Sequence, residues 1–268
     1  MLPDYPADYS EANRQLWNLK TEHHLQSEFY NVAGFLAGAT SLNDIELGLL
    51  GDVAGQHIMH LQCHFGQDSL SLSRLGAHVT GLDLSDTAIA KARELNTQLG
   101  LTAQFVCADV YAAPQVVARQ FDVVFSSYGV LGWLPDLDGW AAVVARLLRP
   151  GGRLVLVEFH PVVWMFDDGF TRFDYSYFNR ETIMEPETGT YADRAAPIQA
   201  TAISWNHSLS EVLGALLRHG LEIRHFEEYD YSPYNCFAGL EEAGERRYQF
   251  PHLRGKLPML YSLVARKK

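Results

Sequence analysis

The chain has 268 residues and a formal net charge of −11. That length can bury a sizeable core in one domain, and that charge argues against the basic face a nucleic-acid substrate needs. No apolar run reaches the roughly 18 residues of a membrane span, and the acidic MLPDYPADYSE start lacks the apolar core of a signal peptide. The three cysteines, Cys63, Cys107 and Cys236, show no CxxC spacing. An odd count without an export signal reads as reduced thiols in the cytoplasm.

Residues 10–37 carry Leu16, Trp17, Leu25, Phe29, Val32 and Leu36 among polar residues, which predicts one or two amphipathic helices. A shorter helix, 42–50, follows. Residues 57–85 read HIMHLQCHFGQDSLSLSRLGAHVTGLDLS. Ile58, Met59 and Leu61 suit a buried strand, and a loop ending in Gly66 follows. Leu70, Leu72 and Leu75 recur at helical spacing before a Gly76 stop. A second apolar strand, 79–82, closes on Asp83. This is one βαβ unit, and its ligand belongs at the carboxyl ends of the strands. An acid closing the second strand can accept from two ribose hydroxyls, so the unit predicts a nucleoside cofactor without saying which.

Ser85 is a fitting N-cap, and Ala88, Ile89, Ala92, Leu95 and Leu99 make one helical face. Residues 104–108 form a third strand closed by Asp109, and 121–125 a fourth. Trp140, Val143, Val144, Leu147 and Leu148 give the next helix, which Pro150-Gly151-Gly152 breaks. Residues 153–159 form a fifth strand. Alternating strands and helices predict an α/β fold with a mostly parallel sheet. Residues 161–200 interrupt the rhythm with many aromatics, and 173–177 alternate as one arm of a hairpin would. A helix at 209–217 and strands at 221–226 and 259–265 complete the chain.

His57, His60, Cys63 and His64 cluster, but H-x-x-C-H is not a zinc pattern, and no metal is expected. There is no Ser-His-Asp set and no P-loop. An NAD-dependent oxidoreductase would show Gly-x-Gly-x-x-Gly after the first strand, and the chain lacks it. A non-catalytic cofactor-binding module would keep Asp83 yet need no aromatic segment.

The stretch HLQCHFGQDSLSLSRLGAHVTGLDLS resembles the Rossmann-like, class I S-adenosylmethionine-dependent methyltransferases. In that family's first motif a strand ends in an acid before Gly-x-Gly-x-Gly. Aligned here, the acid falls on His60 and the glycines on Gln62, His64 and Gly66. SYGVLGWLPDL at 127–137 and RPGG at 149–152 are similar to a bacterial subgroup with mostly uncharacterised small-molecule substrates.

The resemblance implies a three-layer sandwich with a seven-stranded sheet, its last strand antiparallel. It implies one domain, 1–268, with a helical cap at 10–51, a core at 53–160 and 201–268, and an inserted lid at 161–200. It implies S-adenosylmethionine as cofactor, with S-adenosylhomocysteine as product. Asp83, with Leu84 and Ser85, would hold the ribose, and Asp109 with the Val110 backbone the adenine. His60, Gln62, Cys63, His64 and Gly66 would approach the methionine part, with Gln62 and His64 unable to adopt glycine-like backbone as cheaply as Gly66. Ser127 and Tyr128 would complete that site.

Tyr128 and His160, after the fourth and fifth strands, are the candidate catalytic residues. A His of unperturbed pKa suits a general base, and His160 reads equally as a polar loop residue. Tyr30, with Phe29 beside it, and Trp164 and Phe166 are candidate substrate-pocket residues. Asp167, Asp168 and Asp174 would favour a cationic acceptor, with the rings adding cation–π attraction. The aromatic segment suits a homodimer interface as well.

Overall fold

The computed structural model describes residues 4–268, so the first three residues of the acidic start, and of the 1–268 domain span, lie outside the described residues. Helices α1 (Tyr9–His24), α2 (Val32–Leu36) and α3 (Asp44–Leu50) come first. The βαβ unit follows as β1 (His57–Leu61), α4 (Gln67–Arg74) and β2 (His78–Asp83). Next are α5 (Asp86–Gln98), β3 (Gln104–Cys107), a short α6 (Ala113–Val116), β4 (Phe121–Ser127), α7 (Leu137–Leu147) and β5 (Leu148–Phe159). The chain ends with β6 (Ile183–Thr188), β7 (Gln199–Ser204), α8 (Leu209–Arg218), β8 (Leu221–Tyr229), β9 (Glu241–Gly244), β10 (Arg247–Gln249) and β11 (Leu260–Lys267).

The main sheet has seven strands in the order β3-β2-β1-β4-β5-β11-β8. The first five pair in parallel, and β11 runs antiparallel to both β5 and β8. The strand order reverses between β1 and β4, and that switch point is where such a sheet opens a crevice. Strand alternation divides the core into two layers. Ile58, Val79, Val123, Phe125 and Val155 pack with Leu70, Ile89 and Ala92 on one face. Met59, Leu61, Leu82, Val124 and Leu156 pack with Trp140, Val144 and Leu216 on the other. The middle strands therefore read as continuous apolar runs, because both faces are covered.

Local signals set the helix ends. The Ser85 hydroxyl accepts the Ala88 N–H at 3.0 Å, starting α5. Gly66 precedes α4 at φ +80°, and a Cβ there would lie 2.7 Å from the Phe105 ring, so this position needs glycine twice over.

Three expectations change. The fifth strand begins at Leu148, not Arg153: Phe121 pairs with Leu148 and Val123 with Arg153, so a bulge takes up the Pro-Gly-Gly turn. Residues 173–177 are no hairpin arm; Phe173 makes a single bridge to Phe166. The hairpin of this segment is β6 with β7, paired from Ile183↔Ser204 to Thr188↔Gln199. The second strand of that hairpin runs on past residue 200, to Ser204.

Candidate active site

The loop after β1 carries the first part of the site. Gln62, His64 and Gly66 have φ of +56°, +51° and +80°. Gln62 and His64 thus adopt the backbone that the sequence reading reserved for glycine. Each such non-glycine residue costs on the order of 1–3 kcal/mol and needs its surroundings to hold it. Here Gln62 Nε2 donates to the Val130 carbonyl at 2.8 Å. The His64 ring is enclosed by Trp17, His24, Tyr30 and Phe65, with centroids 4.4–5.4 Å away. Burial in that ring cluster pushes the His64 imidazole down to about 3, so it is neutral. Tyr30 is tied in place by its carbonyl, which accepts from Gln67 Nε2 at 3.0 Å.

Asp83 ends β2 facing this loop. Its Oδ2 accepts the His64 N–H at 2.7 Å and its Oδ1 the Ser85 N–H at 2.8 Å. Burial pushes the carboxyl up to about 6, with the backbone N–H donors opposing the shift. Each oxygen still has a lone pair to offer. Asp109, beyond β3, accepts the Tyr111 N–H at 2.9 Å and the Ser10 hydroxyl at 3.1 Å. Helix α1 therefore lies across the ends of β2 and β3. Asn18 Oδ1 accepts the Ser85 hydroxyl at 2.6 Å, and Arg14 pairs with Asp86.

The same helix is fixed to the inserted segment. The Asn13 amide exchanges two hydrogen bonds with the Ile203 backbone, at 2.8 and 3.1 Å. Lys20 Nζ, buried, lies 2.9 Å from Glu187 Oε1 and over the rings of Trp17 and Trp133.

At the end of β4, the Ser127 hydroxyl donates to Asp68 at 3.2 Å. Tyr128 sits at φ +51°, and its hydroxyl donates to Glu46 Oε2 at 2.6 Å. Glu46, on α3, is fully buried. Its Oε1 accepts the Asn43 N–H at 2.7 Å, and Asn43 Nδ2 reaches the Tyr234 hydroxyl at 2.8 Å. Burial, reinforced by Asp68, pushes the Glu46 carboxyl up to about 7. Glu158 holds the loop that carries Tyr128. Its buried carboxylate accepts the N–H groups of Val130, Leu131 and Phe159 at 2.7–3.0 Å, and that of Gly129. The sequence reading missed Glu46, Asn43, Tyr234 and Glu158. The only signal was Asn-x-x-Glu at 43–46, which reads as a helix start.

The remaining candidates separate. His60 and Cys63 are buried. His60 Nδ1 lies 2.8 Å from the Ser69 hydroxyl, and Cys63 Sγ packs where Gly81 leaves room. The Val110 side chain belongs to the core, and the Leu84 carbonyl accepts from Cys107 Sγ at 3.5 Å. His160 does not join Tyr128. Its Nδ1 accepts the Val162 N–H at 3.2 Å, and its Nε2 lies 2.9 Å from Glu228 Oε1 on the β8 side. Burial pulls its pKa down, with Glu228 opposing. Trp164 packs on Phe159, the neighbour of Tyr128, whereas Phe166 packs further out, on Phe170 and Phe173. Asp167 accepts N–H groups from Thr171 and Arg172, and Asp174 pairs with Arg172. Asp167 and Asp174 thus each have a local partner. Among the described residues no cluster of three or more His, Cys, Asp or Glu is arranged to hold a metal ion, and no helix is long and apolar enough to cross a membrane.

Comparison with known proteins fits this geometry. Residues 58–152 match a methyltransferase-domain family. The chain is 27% identical over 151 residues to a ubiquinone biosynthesis O-methyltransferase of Aeromonas salmonicida, an alignment spanning 55% of this chain and 63% of that protein. The chain thus matches less than two thirds of that relative's length. It shares its fold with an S-adenosylmethionine-dependent methyltransferase of Mesorhizobium loti, at TM-score 0.54 and 20% identity, over 87% of this chain and 100% of that one. It also shares it with the magnesium protoporphyrin IX methyltransferase of Synechocystis, solved with bound S-adenosylhomocysteine, at TM-score 0.55 and 15% identity, over 97% and 100% of the two chains. The segment matched as a methyltransferase domain spans the βαβ unit, both acids and the β4 end, and the chain as a whole has the fold of S-adenosylmethionine-dependent methyltransferases.

Proposed function

We propose that this chain transfers a methyl group from S-adenosylmethionine to a hydroxyl oxygen of a small molecule. The observation that carries the reading is the loop of three left-handed residues, 62, 64 and 66, backed by Asp83. The donor set suits the cofactor. Asp83 has one free lone pair on each oxygen for a vicinal diol. Gln62 Oε1 is buried and accepts no hydrogen bond from the described residues, which suits the ammonium of the methionine part. Asp109 with the Val110 backbone would receive the adenine, and Ser127 and Tyr128 would face the methyl end. When bound, the cofactor supplies a methyl on cationic sulfur, a good leaving group. The protein's share is alignment and exclusion of water. The ring cluster of Trp17, His24, Tyr30 and His64 supports the second of these.

The oxygen acceptor is drawn from the curated relative's name. Three cysteines without a disulfide support a reducing, cytoplasmic setting. Exposed Phe173 and Phe178 support a homodimer through the inserted segment, which sedentary size measurement by light scattering checks. The function is tested by calorimetric titration with S-adenosylhomocysteine and with NAD, then by labelled-methyl turnover on a panel of phenols and amines. Micromolar binding of S-adenosylhomocysteine and none of NAD is expected. Equal binding of both would overturn the reading.

A further inference from the structure

Behind Tyr128, at the methyl end of the proposed cofactor site, lies a buried group of Glu46, Asn43 and Tyr234 that the cofactor reading leaves without a task. Three elements far apart in sequence supply it: α3, the end of β4 and the loop after β8. A carboxylate with no cation beside it is an expensive thing to bury. Asn43 and Tyr128 donate to it, but neither carries charge. A capping role alone explains the Asn43 N–H bond; it does not explain why a tyrosine, held at φ +51° at the strand end, aims its hydroxyl at the second oxygen.

We propose, building on the methyltransferase reading, that Tyr128 contacts the acceptor hydroxyl and that Glu46 is the final proton acceptor behind it, with an aromatic or enolic hydroxyl as the substrate class. The acceptor O–H breaks, and its proton passes to Tyr128 Oη. The Tyr128 proton moves along the existing 2.6 Å hydrogen bond to Glu46 Oε2. The oxygen pair left on the acceptor forms the new O–CH3 bond, while the methyl–sulfur bond breaks with its pair kept by sulfur. The proton on Glu46 is then released to solvent.

Two further observations favour that substrate class. Tyr128 meets Tyr234 edge-on at 5.1 Å and Phe159 at 6.3 Å, so the hydroxyl is framed by rings that suit a flat acceptor. A carboxyl raised to about 7 is also better matched to a phenol, near 10, than to an alkyl alcohol. The titratable groups facing Glu46 are Asp68 from α4, Tyr128 from β4 and Tyr234 from the loop after β8, with Arg246 acting on Tyr234. Removal of Glu46 charge is therefore the change that isolates its titration. His160, a candidate base in the sequence, pairs with Glu228.

The test uses the full chain loaded with S-adenosylhomocysteine, 4-nitrocatechol as probe, and the variants Glu46→Gln and Tyr128→Phe. Glutamine keeps an oxygen for Asn43, and melting temperatures check that both variants fold. Carbon-13 NMR of glutamate-labelled protein should show one carboxyl titrating near 7 that is missing in Glu46→Gln. The visible absorbance of bound 4-nitrocatechol should titrate with that carboxyl in the wild type and lose that step in both variants. With S-adenosylmethionine supplied in place of S-adenosylhomocysteine, methylation of the probe should fall about 10²–10⁴-fold in Glu46→Gln, the usual range for a lost general base, and lose its acid limb near 7. Failure of the wild type to bind S-adenosylhomocysteine would sink the methyltransferase reading itself. Normal binding of S-adenosylhomocysteine with no binding of the probe, or a probe titration unchanged in Glu46→Gln, would overturn this proposal alone.

Discussion

Asp83 offers the sharpest test of the cofactor site, because two of its properties change together. Its carboxyl is pushed from 3.8 to about 6 by burial. A carboxyl raised in the folded state stabilises the fold below its unfolded value, and that contribution is lost as pH rises through about 6. A ribose diol donating to both oxygens reverses the preference, since hydrogen bonds to the charged form favour it. Binding of S-adenosylhomocysteine should then release a proton near pH 5.5. Affinity should rise about tenfold between pH 5 and 7, as the free carboxyl ionises. Asp83→Asn removes the titration. It also leaves one oxygen to accept two backbone N–H groups, those of His64 and Ser85. One buried donor is orphaned, at a cost of about 1–3 kcal/mol, or very roughly 2–10 °C in melting temperature for a chain of this size. Loss of charge-assisted bonds worth about 1.5–3 kcal/mol each should weaken binding at pH 7 by tenfold or more. Calorimetry in buffers of differing ionisation enthalpy reads affinity and proton release together. A variant that melts lower but binds with unchanged affinity and unchanged pH dependence would refute a ribose role and leave Asp83 as a loop anchor.

Two further perturbations test the supports. Glu187→Gln should destabilise by about 3–5 kcal/mol in urea unfolding, because it strands the buried Lys20 cation, whereas Lys20→Met should cost much less, since Glu187 is partly open to water. Equal effects would show that the pair is not the reason Lys20 is tolerated there. Glu158→Gln should cost at least about 2 kcal/mol, because one amide oxygen cannot serve four backbone donors; a neutral result would mean the loop after β4 finds other acceptors.

The parts of the fold and of the candidate site that a local pattern encodes are legible in the sequence. Apolar runs buried on both faces announced the strands, and Asp83 and Asp109 are marked by their places at strand ends. What escaped depends on partners distant in sequence. Gln62 and His64 hold left-handed backbone only because Val130, Trp17, His24 and Tyr30 arrive to hold them, and no window around residue 62 contains that information. Glu46 lies in an Asn-x-x-Glu helix start and does cap α3; its second oxygen meets Tyr128, 82 positions later. The β6–β7 hairpin escaped because Glu185, Pro186 and Glu187 break the alternation that marks a half-buried strand. The ring-rich stretch before it mimicked that alternation while leaving Phe173 exposed.

Helix α1 is bonded on one side to Ser85, Asp86 and Asp109 and on the other to Ile203 and Glu187. On the proposed reading, a nucleoside seated at Asp83 and Asp109 would leave as that helix lifts, and the helix would carry the hairpin with it. Product residence time then becomes a local-unfolding free energy. Substitutions at the outer hairpin would set turnover through the off-rate while leaving every group that touches the reacting atoms in place.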